Sequence, residues 1–278
     1  MSGAPMVPPM PTSPLEKLRW TLADGWTLVR REFWHMKSEP IQIVLPLIFS
    51  GALVLLFGYV FGSAISVPEG GNYREYLMPG LFAMASGTPA MINAVAIARE
   101  KSKGVVDRFR SMPMSRVAMP FGKTGSDIGI GIIALAMTAT VGLLVGWRAH
   151  EGLGRTVAGF AILLFFRYAM SWAGVFLGLA TKSETLDNLG PLFFPFIMIS
   201  NAFVPTGNMP TWLRTIADWN PVSAVTQSAR VLFGNPGADA THSAWPLEHP
   251  IIATLGWSVL LIVVFGSLAV HRYVTAED

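Results

Sequence analysis

Gly122-Lys123-Thr124 ends as a phosphate-binding loop ends, with a glycine, a lysine for the outer phosphates and a hydroxyl for magnesium. That loop needs another glycine where Val117 stands, and no complete Gly-x-x-x-x-Gly-Lys-Ser/Thr occurs in the chain. The chain is therefore read as having no nucleotide site of its own, a non-enzymatic membrane subunit. The histidines, His35, His150, His242, His249 and His271, form no pair at metal-ligand spacing. With no cysteine, thiolate sites, disulfides and cysteine catalysis are excluded. No catalytic, cofactor-binding or metal-ligating residue is assigned. The chemistry left is that of charges in apolar runs, which are costly and default to a functional reading. Arg167 interrupts one such run; Asp127 and Asp187 stand at the starts of two others. Arg167 either faces other helices and pairs with a carboxylate or carbonyls, the favoured reading, or contacts cargo. Asp127 is too near the cytoplasmic side to be its obvious partner. A proton-driven transporter, a rival class, needs several carboxylates or histidines within its spans, and these runs are poor in both.

The elements that carry these residues are membrane helices. Charged residues make up 13% of the 278 and hydrophobic ones 52%, where a soluble domain carries about 25% charged. Much of the surface therefore faces something other than water, and the mean hydropathy of +0.48 agrees. Six runs approach the roughly 20 residues that cross a bilayer: about 41–62, 77–98, 125–147, 156–181, 188–206 and 250–270. The predicted fold is an all-α membrane protein of six transmembrane helices. With the N-terminus inside, fourteen of the 20 Lys and Arg fall on cytoplasmic segments and five outside, with Arg167 within a span. Both termini are then cytoplasmic, in the plasma membrane. Topology accounts for the basic residues, and no nucleic-acid partner is inferred.

Residues 1–14 read as a disordered cytoplasmic tail without a signal-peptide core. In 15–39, Leu15, Leu18, Leu22, Trp26, Val29 and Phe33 form one helical stripe, predicting an amphipathic interfacial helix that anchors at the lipid surface and also serves as partner surface. On the outer side, 207–249 predicts a helical hairpin whose apolar faces dip into the outer leaflet or pack on the spans. Asn220-Pro221 reads as a cap with proline at the first helical position, and Gly234-Asn235-Pro236-Gly237 as a breaker.

Two segments remain as candidate sites. In the cytoplasmic loop 99–116, Gly104 and Pro113 bracket a short helix. Val105, Val106, Phe109 and Met112 form its apolar side; Asp107, Arg108 and Arg110 form its charged side. A positive-inside loop would account for the charges, but an exposed apolar ridge wants a groove. In the fifth span, Phe193, Phe194, Phe196, Met198 and Phe203 offer an adaptable apolar wall, with Asn201 as a polar handle and Pro195 to bend the helix. That wall suits a hydrophobic cargo pathway, or else lipid contact or dimer packing.

At the cytoplasmic loop the chain resembles the type 2 ABC-exporter permeases, the group that includes daunorubicin-resistance membrane subunits and polysaccharide exporters. Arg99-Glu100 followed by Gly104, Asp107, Arg110 and Pro113 matches the group's pattern, with Phe109 where leucine is usual and Asp107 where glutamate is commoner. Met209-Pro210-Thr211-Trp212-Leu213, Asn220-Pro221 and Arg230 match its outer segment. The resemblance covers nearly the whole chain. It implies that Gly104 to Pro113 is a coupling helix docked on a nucleotide-binding subunit. It implies two permease copies with two ATPase chains, and ATP and magnesium on the partner only. It implies hydrophobic drugs or lipids as cargo, or else polysaccharide or lipid-linked glycans. Arg99, Glu100, Asp107 and Arg110 would then fix register against the ATPase, with Val105 and Phe109 in its groove.

Overall fold

The computed structural model describes residues 48–49, 51–62, 65, 67, 71–106, 118–240 and 244–275. The expected tail, the expected interfacial helix and positions 107–116 of the cytoplasmic loop lie outside the described residues. Those described form helices and turns, with no strand among them. In chain order the helices are α1 (Gly51–Val60), α2 (Tyr73–Gly87), α3 (Pro89–Ser102), α4 (Ala118–Val145) and α5 (Gly152–Ala180). Then come α6 (Ser183–Met198), α7 (Thr211–Trp219), α8 (Pro221–Phe233), α9 (Trp245–Glu248) and α10 (Pro250–Thr275).

Among the described residues, four stretches are long and apolar enough to cross a membrane: Tyr73–Ser102, which joins α2 to α3, then Met119–Val145, Gly152–Ala180 and Pro250–Thr275. Tyr73–Ser102 and Gly152–Ala180 are mostly buried, whereas Met119–Val145 and Pro250–Thr275 are mostly exposed. Two central helical rods thus carry two peripheral ones whose outward leucines and valines suit lipid. The first expected span is described only in part, and its described helix α1 is short.

The central crossing is made by small residues. Gly174 and Gly178 are one turn apart on α5 and face Ala90 and Ala94 of α3. A Cβ on Gly174 would come within 2.4 Å of the Ala90 carbonyl oxygen, and one on Gly178 within 2.7 Å of that of Ala94. Where lipid gives no hydrophobic drive between helices, such close backbone approach supplies the van der Waals packing that joins them. Toward the other end of α5, Phe82 is ringed by Trp147, Phe160 and Phe233, with centroids 5.1, 5.5 and 5.8 Å away. This aromatic group fixes α2, α5, α8 and the segment just after α4 to one another.

Two expectations change. The fifth apolar run does not continue as a helix to 206. α6 ends at Met198, and Ile199 leaves helical geometry. The backbone beyond it is satisfied by side chains instead, as non-helical backbone inside a membrane protein must be. Asn220 Nδ2 donates to the carbonyls of Phe196 and Ile199 at 2.9 and 2.7 Å. Tyr73 Oη donates to Phe203 O at 2.7 Å, and Tyr76 Oη to Asn201 O at 3.1 Å. The second change is one of extent: α8 packs on the spans, one of the two expected alternatives, but buries its polar residues from Ser223 to Arg230 along with its apolar face. It packs on α2, α5 and α10, with Ser228 and Thr254 hydroxyls 2.9 Å apart. Asn220 caps it by accepting from the Val222 amide at 2.8 Å, and Gly234 ends it in the left-handed region at φ 67°.

Candidate functional site

The segment 99–106 leaves α3 and ties four other helices together. Arg99 turns toward the first turns of α6, where its Nη2 lies 3.0 Å from Asp187 Oδ1. One residue on, Glu100 faces the other way and accepts from Lys123 Nζ of α4 at 2.7 Å. Lys101 Nζ donates to the Leu179 carbonyl at 2.7 Å, in the last turn of α5. A cation is favoured there, because the final carbonyls of a helix lack amide partners and carry the negative end of its dipole. Gly104 then adopts φ 68°, a left-handed turn that glycine enters without steric cost. The helix resumes at Val105 and Val106.

Val106 corrects the expected exposed ridge. It is 1% exposed and packs in a cluster with Ile97, Met119, Trp172, Val175, Leu179, Ala269 and Tyr273. It belongs to this chain's own core because the left-handed turn at Gly104 folds the segment back over the ends of α5 and α10. Val105 is half-buried. Asp107, Phe109, Arg110 and Pro113 lie outside the described residues. Gly122, Lys123 and Thr124 lie within α4, where the Thr124 hydroxyl donates to the Pro120 and Phe121 carbonyls at 3.1 and 3.2 Å.

Arg167 is buried, and its partner is Asp127, against the expectation that Asp127 stood too near the helix end. Nη2 lies 2.8 Å from Asp127 Oδ1, Nε donates to the Asp127 carbonyl at 3.1 Å, and Nη1 to the Ala85 carbonyl at 2.8 Å. Both side chains are nearly sealed, at 6% and 5% exposure. Beside them Asn93 Nδ2 donates to Ser171 Oγ at 2.9 Å. The guanidinium thus joins α2, α4 and α5 and is engaged by the protein itself.

The candidate pathway residues divide. Phe194 and Phe196 are exposed on α6, at 39% and 43%. Phe193 stacks on Phe196 at 5.9 Å, and Phe193 and Met198 pack against the main core. Asn201 faces inward instead: it is 2% exposed, its amide donates to Ser223 Oγ at 3.0 Å, and its Nδ2 lies 3.4 Å from Gln227 Oε1. The wall and its expected polar handle therefore do not share a surface.

Tyr73, Tyr76 and Arg230 were not singled out as site residues, although all three organise the backbone after α6. A signal was available. Tyr73 and Tyr76 are three apart on one helical face, and Ser223, Ala224, Ser228 and Ala229 are the small residues that let buried helices approach closely.

Similarity to known proteins agrees with this architecture. Residues 24–233 match the family described as ABC-2 type transporter. The daunorubicin resistance ABC transporter permease of Streptomyces coeruleorubidus is 31% identical over 257 residues, covering 91% of this chain and 85% of the relative. The doxorubicin resistance ABC transporter permease of Mycobacterium tuberculosis is 24% identical over 256 residues, covering 89% and 88%. A putative transport permease of Cyanophora paradoxa is 22% identical, covering 88% and 85%. With its four apolar helices able to cross a bilayer, this multi-pass membrane chain belongs to the ABC-2 type transporter family, as an ABC transporter permease subunit.

Proposed function

We propose that this chain is the membrane half of an exporter that moves hydrophobic drugs or lipids out of the cell, driven by a separate ATP-binding-cassette subunit. Gly104 to Pro113 is the lever on which that subunit acts, with ATP and magnesium bound on the partner. Two permease copies assemble with two ATPase chains. The chain crosses the membrane six times with both termini inside, the first and fifth crossings being α1 and α6 with their flanking segments.

The observation that carries this reading is the attachment of 99–106 to α4, α5 and α6 through Lys123, Leu179 and Asp187, and to α10 through the Val106 cluster. A displacement of the segment that follows is passed to five helices at once. Rigid helices convert a small push at one end into a larger movement at the other. The drug-resistance relatives support hydrophobic cargo. The exposed Phe194 and Phe196 suit it as adaptable apolar contacts.

The test is co-purification of the chain with an ATPase subunit, followed by ATP turnover in proteoliposomes with and without hydrophobic drugs. The proposal predicts a stable complex whose turnover rises with drug and whose cargo moves only with ATP. Uphill movement by the chain alone would overturn it.

A further inference from the structure

Arg230 is 1% exposed and is the largest side chain so fully enclosed among the described residues. Its guanidinium meets neutral acceptors. Nη2 donates to the carbonyls of Asn201, Tyr76 and Ala202 at 2.8, 3.2 and 3.3 Å. Nε makes a long contact of 3.4 Å to Tyr76 O, and Nη1 one of 3.5 Å to Gln227 Oε1. The guanidinium carbon lies 3.7 Å from the Tyr76 ring centroid. Among the described residues, no carboxylate lies within ion-pairing distance of it.

A cation held only by dipoles in dry surroundings is poorly compensated for its lost hydration. Nor does the bend after α6 depend on it alone. Asn201 O also accepts from Tyr76 Oη, and Tyr76 O lies inside α2, within reach of the helix ladder. The charge therefore crosslinks α2, the bend and α8 without being needed to satisfy most of their carbonyls. In water the same group needs no partner.

We infer that Arg230 is a positioning residue of the transport cycle, a hydration latch: a charge strained in the closed state, whose hydration on release offsets part of the cost of opening the outer end. The inference rests on the exporter reading, and on this end of the molecule facing outward. While the end is shut, Arg230 bridges three segments at the cost of its hydration, without being what holds them together. When α2 and α6 are driven apart, the guanidinium exchanges carbonyls for water and favours the open state.

The chain has no cysteine, so Ser223→Cys, a near-isosteric change at a fully buried position, gives a clean reporter. Cells expressing the chain with its ATPase subunit are treated with a membrane-impermeant maleimide, energised or depleted of ATP. The introduced thiol should label only in energised cells. Adding Arg230→Met, which removes the charge and keeps the length, should lower labelling and transport together by about tenfold, the size of a barrier rise near 1.4 kcal/mol. The purified Arg230→Met chain should melt at the same temperature as the unmodified chain or above it. Arg230→Lys, which keeps a cation, should retain more transport than Arg230→Met. Labelling and transport unchanged in Arg230→Met would overturn the latch. So would a lowered melting temperature with lost transport, which marks a structural role, and so would cargo movement without labelling of the Arg230 chain. No ATP-driven transport by the unmodified chain would instead remove the exporter reading, and the latch with it.

Discussion

Among the described residues two arginines are buried, and they are buried in opposite ways. Arg167, between α4, α5 and α2, lies 2.8 Å from a carboxylate that is itself sealed from solvent. Arg230, between α8, α2 and the bend after α6, is still more enclosed and touches only carbonyls, an amide oxygen and a ring. The first is a neutral unit that is costly to separate. The second is a net charge held in place by its surroundings. The difference teaches that burial alone does not tell whether a charge holds a fold shut or strains it. The identity of the acceptors does.

The largest expected effect tests the paired side. Arg167→Met strands the Asp127 carboxylate in dry protein and should destabilise by about 3–5 kcal/mol, read as a lowered melting temperature in detergent. The double variant Asp127→Leu with Arg167→Met should recover most of that loss. If the single variant melts like the unmodified protein, the two arginines do not differ and the comparison breaks.

Next in size is the crossing on which both regions hang. Gly174→Leu places atoms where the Ala90 carbonyl already lies and should cost about 1–3 kcal/mol or more by overpacking. Reduced yield of folded protein would show it. Full stability would mean that α3 and α5 are not locked by close approach.

A smaller change sharpens the account of the bend. Asn220→Ala removes the cap of α8 and both side-chain bonds to the Phe196 and Ile199 carbonyls. It should cost about 1–2 kcal/mol, near the upper range for a lost cap, and should speed amide exchange at 222–224. Exchange rates unaltered there would mean that Asn220 does not hold α8 to the bend after α6.

The smallest effect belongs to the end of the bundle that carries 99–106. Arg99 and Asp187 are 58% and 48% exposed, so Arg99→Ala should shift stability by no more than about 1 kcal/mol. A melting loss as large as that of Arg167→Met would show that this ion pair is a structural one.

These cases also show what the sequence made legible. Local signals read well. Asn220-Pro221 and Gly234 marked the ends of α8 because capping and left-handed geometry depend on a few adjacent residues. The order of Arg99-Glu100, Gly104 and the outer Asn220-Pro221 carried the family resemblance. Non-local facts did not read. Asp127 looked terminal because the apolar run begins near 125, yet α4 starts at Ala118. Nine residues of helix place Asp127 about 14 Å along the rod at 1.5 Å per residue, deep enough to meet Arg167. The burial of α8 was hidden for a related reason. Its serines, threonine and glutamine resemble a surface helix until the carbonyls of 199–203 and the face of α2 are brought against them. The same non-locality separated Asn201 from the phenylalanines that precede it.

The central claim is that the segment beginning at Gly104 transmits ATP-driven work into these helices. Gly104 holds φ 68°, which proline cannot adopt because its ring fixes φ near −65°. Reconstituted with its ATPase subunit, Gly104→Pro should insert and assemble, keep ATP turnover, and lose cargo movement. Cargo transport per ATP equal to that of the unmodified complex would contradict the account.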